Sequence, residues 1–133
     1  MNIVDKIRLI NDLCYIDGCT DVQVEGAEKL LDLKFPREYI DYVKEFGCID
    51  FGSTEWTGLN IEGELNTVEA TLLERECNKS FPDKHFVLDN YHIDNKIIIV
   101  NEIGQVFLLQ HKKIEKICET ISEYLDIYIL NNF

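Results

Sequence analysis

The chain has 133 residues, 46% of them hydrophobic and 29% charged, with a formal net charge of −12 at pH 7. That length supports one domain, residues 1–133, able to bury roughly two thirds of its extended surface without a disulfide or metal staple. The composition excludes a disordered chain, and an acidic balance with no basic stripe excludes nucleic acid as a partner. No apolar run approaches the length of a membrane span, so no membrane association is expected. The start, Met1-Asn2-Ile3-Val4-Asp5-Lys6, lacks the basic-then-apolar order of an export signal. The expectation is therefore a cytoplasmic protein. Its five cysteines, Cys14, Cys19, Cys48, Cys77 and Cys118, include no C-x-x-C pair and read as reduced thiols.

The first segment reads as a helix with Asn2 as N-cap and Ile3, Ile7, Ile10 and Cys14 on one face. Asp17-Gly18-Cys19-Thr20-Asp21 breaks it. A second helix is predicted from Val22 to Leu33, with Val24, Ala27, Leu30 and Leu31 as its buried stripe. Phe35-Pro36 opens a third, with proline suited to the first helical position because its missing N–H has no partner there. Tyr39, Ile40, Val43 and Phe46 share a face, and Gly47 reads as a left-handed cap. Short strands are predicted at Cys48–Phe51 and Glu55–Leu59, between glycines. Asn66-Thr67-Val68-Glu69 has the form of a capped helix start, running to Cys77. Phe86–Leu88 and Lys96–Val100 read as strands. The run Ile97-Ile98-Ile99-Val100 does not alternate, so both its faces should be covered. Asn101-Glu102-Ile103-Gly104 turns the chain into a hairpin partner at Gln105–Leu109. Last, the spacing of Ile114, Ile117, Cys118, Ile121, Leu125 and Tyr128 predicts a long closing helix. The expected core includes Leu30, Phe35, Ile40, Val43, Ile98, Val100, Phe107, Ile117, Ile121 and Leu125.

Charge is unevenly placed. From Glu45 to Glu74 there is no Lys, Arg or His, while seven acids occur: Glu45, Asp50, Glu55, Glu62, Glu64, Glu69 and Glu74. Such a segment gives up the ion pairs that would neutralise it, and its field favours a cationic partner. The plainer reading is a solvated face. The same stretch holds the only tryptophan, Trp56, which is either a core filler or an interface anchor.

At its second and third helices the chain resembles the SUKH superfamily, which includes fungal regulators of cell-wall synthesis and bacterial immunity proteins. The resemblance rests on Val24-Glu25-Gly26-Ala27-Glu28-Lys29-Leu30 and on Phe35-Pro36-Arg37-Glu38-Tyr39 through Phe46-Gly47. Val106 after Gly104 and the segment Ile117–Leu125 look like the family's later strand and closing helix. The resemblance implies an α+β fold, a mostly antiparallel sheet covered by helices, and a binding role rather than catalysis. For bacterial members it implies neutralisation of a toxin, often a nuclease.

Sites that need a particular ligand set are poorly supported. Asp89-Asn90-Tyr91-His92-Ile93-Asp94-Asn95 carries two carboxylates and an imidazole, but its place between two strands and its Asp and Asn content favour a turn. It also fails the calcium-loop pattern. His85, His92 and His111 form no zinc motif, no nucleophile signature surrounds any cysteine, and no cofactor is expected. Three readings follow. In the first, an immunity protein binds a basic toxin domain, a nuclease in the leading form, through Asp50, Glu55, Trp56, Glu62 and Glu64, with Asp89 and Asp94 added. In the second, a regulatory scaffold binds an endogenous partner. The third is a small hydrolase using Asp89, His92 and Asp94.

Overall fold

In the computed structural model, which describes residues 1–130, the Asn2 side chain accepts the Asp5 N–H at 2.8 Å and starts α1 (Ile3–Arg8). The face expected to continue to Cys14 stops early. Asp12 takes a left-handed backbone (φ 60°), and Cys14–Tyr15 become β1. A reciprocal capping box between Thr20 and Gln23 opens α2 (Asp21–Leu31). Val24, Ala27 and Leu31 form its buried stripe. Leu30, expected in the core, is 67% exposed, because it lies beside that stripe.

Helix α3 (Arg37–Phe46) buries Tyr39, Tyr42, Val43 and Phe46. Pro36 stands just outside it as the N-cap, one position before the expected one. Glu38 on its outer side reaches α5 (Ile121–Tyr124), where its carboxylate accepts the N–H of Ile121 (2.9 Å), the N–H of Ser122 (3.3 Å) and the Ser122 hydroxyl. The negative charge sits where a helix leaves its first donors unpaired.

Gly47 ends α3 differently from a left-handed cap. Its φ of 69° is positive but its ψ is −63°, and the Cys48 N–H donates to the Phe46 carbonyl at 2.6 Å. This is a γ-turn of the strained, positive-φ kind. A Cβ at Gly47 would collide with the Asp17 carbonyl, and one at Gly58 would collide with the carbonyl of Gly47 itself. The Leu59 N–H donates to that same carbonyl at 2.9 Å. The two glycines therefore press one stretch of backbone against another.

Strands β1, β2 (Ile49–Phe51) and β3 (Thr54–Trp56) form one antiparallel sheet. The predicted strand from Glu55 to Leu59 stops at Trp56. Helix α4 (Thr67–Cys77) follows, capped by Asn66, whose side chain accepts the Glu69 N–H. The second sheet is an antiparallel meander of β4 (His85–Asn90), β5 (Lys96–Asn101), β6 (Val106–Gln110) and β7 (Lys113–Cys118). Asn101 builds the β5–β6 turn by accepting the N–H groups of Ile103, Gly104 and Gln105. Both faces of β5 are covered, as its sequence predicts. Ile98 and Val100 join the main core, while Ile97 and Ile99 pack with Val87, Leu109, Ala70 and Phe81. The class is α+β, with antiparallel sheets and covering helices.

The long closing helix is a correction. Ile114, Ile117 and Cys118 lie in β7, and α5 begins only at Ile121, after the cap Thr120. A bulge opposite Val106 and Phe107 inserts one extra residue, Ile117, into β7. Ile117 and Cys118 then both reach the main core while Ile114 is exposed. Two inward neighbours preceded by an isoleucine three residues back imitate helical spacing. Past α5 the chain widens into a π-helical turn at Leu125–Ile129.

An acid-walled groove between α4 and β4

The site is built from one side of α4. Thr67, Val68 and Thr71 face the interior. Glu69, Ala70, Leu73 and Glu74, spaced by three and four, form the neighbouring stripe and border a cavity of about 410 Å³. The opposite wall comes from Glu55 and Thr57 and from the loop residues Gly63, Glu64 and Leu65; Val87 and Asn90 of β4 line the base. A second cavity of about 700 Å³ shares Glu74, Asn90 and His92 with the first and extends to Asp94, His111 and Lys112.

Hydrogen bonds from backbone and side chain fix the wall. The Gly58 N–H donates to Leu65 O, the Thr67 N–H to Gly58 O, and Asn66 Nδ2 to Ile61 O, all between 2.8 and 2.9 Å. Gly63 N–H donates to Glu69 Oε2 at 2.8 Å, tying loop to helix. Two threonines cover the outer edge of β4. Thr71 Oγ1 accepts the Val87 N–H, while Thr57 donates its hydroxyl to Val87 O and its N–H to Leu88 O. A strand edge that could pair with other chains is thereby closed.

Most of the acids here stand outside the ion pairs. Among the described residues the ion pairs engage Asp21, Glu28, Asp32, Asp41, Glu45, Glu119 and Asp126. Glu45, bound to Arg8, is the gap's single contribution. Asp50, Glu55, Glu62, Glu64, Glu69 and Glu74 stand in none of them. Asp50 and Glu55 are direct partners across β2 and β3, and both are exposed. Like charges directly opposite in a sheet destabilise it. Burial pushes the Glu74 carboxyl above the usual carboxylate range.

The candidate residues separate accordingly. Glu55 and Glu64 line the groove, Asp50 adjoins Glu55, Glu62 is exposed on the loop that forms the wall, and Asp94 borders the second cavity. Trp56 and Asp89 do not reach the surface. Trp56 is 0% exposed, its ring set edge-on to Tyr42 (5.5 Å between centroids) and 6.3 Å from Tyr124. Its neighbours Glu55 and Thr54 are polar, but alternation in β3 turns Trp56 inward. Asp89 is 4% exposed. A bulge after Val87 sets Asp89 opposite Ile98, a main-core residue. Burial first, and the Glu55 charge second, push its carboxyl up to about 7, although the Asn90 N–H acts in the opposite direction.

The segment after Asp89 is the turn its composition suggests. Asn90 Oδ1 accepts the His92 N–H at 2.8 Å, and His92, Asp94 and Asn95 all have left-handed backbones. Among the described residues no three His, Cys, Asp or Glu side chains gather as a metal ion requires. No helix among them is long and apolar enough to cross a membrane. Sequence reasoning did not place Glu69, Glu74, Leu73, Ala70 or Leu65 in the site. For α4 the signal was present, since Glu69 and Glu74 flank Ala70 and Leu73 along one stripe.

The fold is thus an α+β domain bearing a groove bordered by carboxylates that stand in no ion pair among the described residues. A family model described as SMI1-KNR4 cell-wall matches residues 21–125, and the chain belongs to this family of the SUKH superfamily. Membership carries a protein-interaction role. The match spans α2 to α5 and so contains both the groove and the Glu38 anchor. Among curated proteins none matches the chain.

Proposed function

We propose that the chain is a cytoplasmic immunity protein that binds and occludes a basic toxin domain, a nuclease in the leading form, and acts by binding rather than by catalysis. The observation that carries this reading is the separation of Asp50, Glu55, Glu62, Glu64, Glu69 and Glu74 from every ion pair among the described residues, around one groove. A nuclease cleft is shaped to hold phosphates, and carboxylates can occupy the same positions while their field steers encounter. The family's cell-wall description supports a second reading, a scaffold for an endogenous partner.

The test is to express any toxin domain encoded beside the gene and to measure its association with this chain against ionic strength. Because screening shortens the field to roughly 8 Å at physiological salt, association should slow steeply as salt rises. Reversing Glu55, Glu62 and Glu64 together to lysine should abolish protection with little change in melting temperature. Reversing Glu25, Asp83 and Glu115, all exposed, is the control. Equal loss from both triples means that only net charge matters. Absence of any toxin-encoding neighbour, with capture of an endogenous regulator instead, favours the scaffold.

A further inference from the structure

Resting on the groove as the binding site, we infer that it recognises a basic protein segment built around one apolar side chain. The apolar residue seats against Leu65, Ala70, Leu73 and Val87, and flanking lysines or arginines reach Glu55, Glu64 and Glu74. Two observations combine. Leu73 is 56% exposed, and it stands in the same cavity as the buried Val87 and the half-buried Leu65 and Ala70. One exposed leucine is ordinary, but four apolar residues converging in one cavity make a seat. The carboxylates around that seat come from three separate elements: Glu55 from β3, Glu64 from the loop and Glu74 from α4. A cation on either side of an apolar anchor therefore meets an acid. Glu74 is the clearest case, since it is partly desolvated and in no ion pair among the described residues.

Charge complementarity selects the occupant. A second copy of this chain brings another −12 to a cavity already walled by acids. Phosphate-bearing ligands are repelled for the same reason. A purely electrostatic contact has no use for the apolar base, and a purely apolar ligand leaves the acids uncompensated. A basic, apolar-anchored segment satisfies both.

The test uses the isotopically labelled full chain and three synthetic peptides of equal length. One has lysines and arginines around a central phenylalanine, one has the same charges around serine, and one has phenylalanine among glutamines. The phenylalanine-basic peptide should shift the amides of residues 63–74 and 87–90. It should bind about tenfold tighter than the serine peptide, the worth of one seated apolar side chain, and tighter than the glutamine peptide through its charges. Leu73→Gln should erase the advantage of phenylalanine over serine and leave the serine peptide's affinity unchanged. Thermal melts verify that this exposed substitution preserves the fold. Glu74→Gln should weaken both basic peptides. Equal affinity of the two basic peptides overturns the apolar seat while leaving the acidic-surface reading intact. Spermidine binding as tightly as the phenylalanine-basic peptide, or concentration-dependent shifts in the protein alone, overturns it in favour of a small cation or a second copy. The expected peptide preference without toxin protection retains the seat and removes the immunity role.

Discussion

Carboxylates do opposite work on the two sides of Gly47. Between Asp21 and Phe46 they hold the fold together. Glu28 accepts the Phe35 N–H at 2.7 Å, Glu38 anchors α5, and Asp21, Asp32 and Asp41 meet Lys44, Lys84 and Arg37. Beyond Gly47, from Asp50 to Glu74, the acids are in no ion pair among the described residues, and two of them oppose each other across a sheet. The residue type is the same; the supply of neighbouring cations differs. Where cations are interleaved, acids stabilise the molecule. Where they are withheld, the acids stand in no ion pair among the described residues, and the facing Asp50 and Glu55 cost a little local stability.

Four substitutions press on this contrast. The largest effect belongs to Trp56→Ala, which should destabilise by about 3–5 kcal/mol in chemical denaturation, because the ring is wholly inside the core. A variant that keeps full stability and loses only affinity would return Trp56 to the interface.

Next is Asp89→Asn. The folded-state carboxyl is raised to about 7, so the folded protein holds a proton that the unfolded chain has released. Asp89 therefore contributes full stability below the ordinary carboxylate range and loses it as pH rises towards 7. Asparagine cannot ionise. At pH 8 the variant should be more stable than the parent by on the order of 2–4 kcal/mol, with the difference vanishing near pH 4. Parallel denaturation curves for the two proteins across that range would show that Asp89 is ionised in the fold throughout.

Glu38→Ala removes the acceptor for three donors at the start of α5 and should cost ~1–3 kcal/mol. Partner affinity should be unchanged once the protein is folded. Smallest is Glu55→Gln, which relieves the cross-strand repulsion with Asp50 and should raise stability by roughly 0.2–1 kcal/mol while slowing partner association. Lower stability in a thermal melt would mean that Glu55 has a structural partner and that the contrast between the two regions is false.

The sequence was most legible where local chemistry and tertiary role agree. The caps at Asn2 and Asn66 are side-chain events within four residues, and each opens a helix where its sequence predicts one. The unbroken Ile97–Val100 run announced a strand covered on both faces. Legibility failed where pairing across the chain overrode local spacing. β7 is held by β6 and its bulge, and neither can be read from the period of its isoleucines. Thr120 and Glu123, a helix-start signal, lay within the predicted helix. The acidic gap contains the carboxylates that border the groove, but counting charges cannot distinguish Glu55, which lines the groove, from Asp89, which a bulge turns inwards. Nor can it reveal that α4 supplies a wall of acids and apolar residues together.

The contact between Gly47 and Gly58 divides the positions that tolerate substitution from those that do not. Neither position has room for a side chain, so mutation there is barred while the outer stripe of α4 and the loop before it remain free to vary. The Leu59 N–H donates to Gly47 O, which places the start of that loop against the end of α3, and Gly58 donates to Leu65 O and accepts from Thr67 N–H, which closes the loop. Substitutions at Glu62, Glu64, Leu65, Leu73 or Glu74 leave that contact untouched and change only what the groove presents, whereas one at either glycine would displace the frame itself.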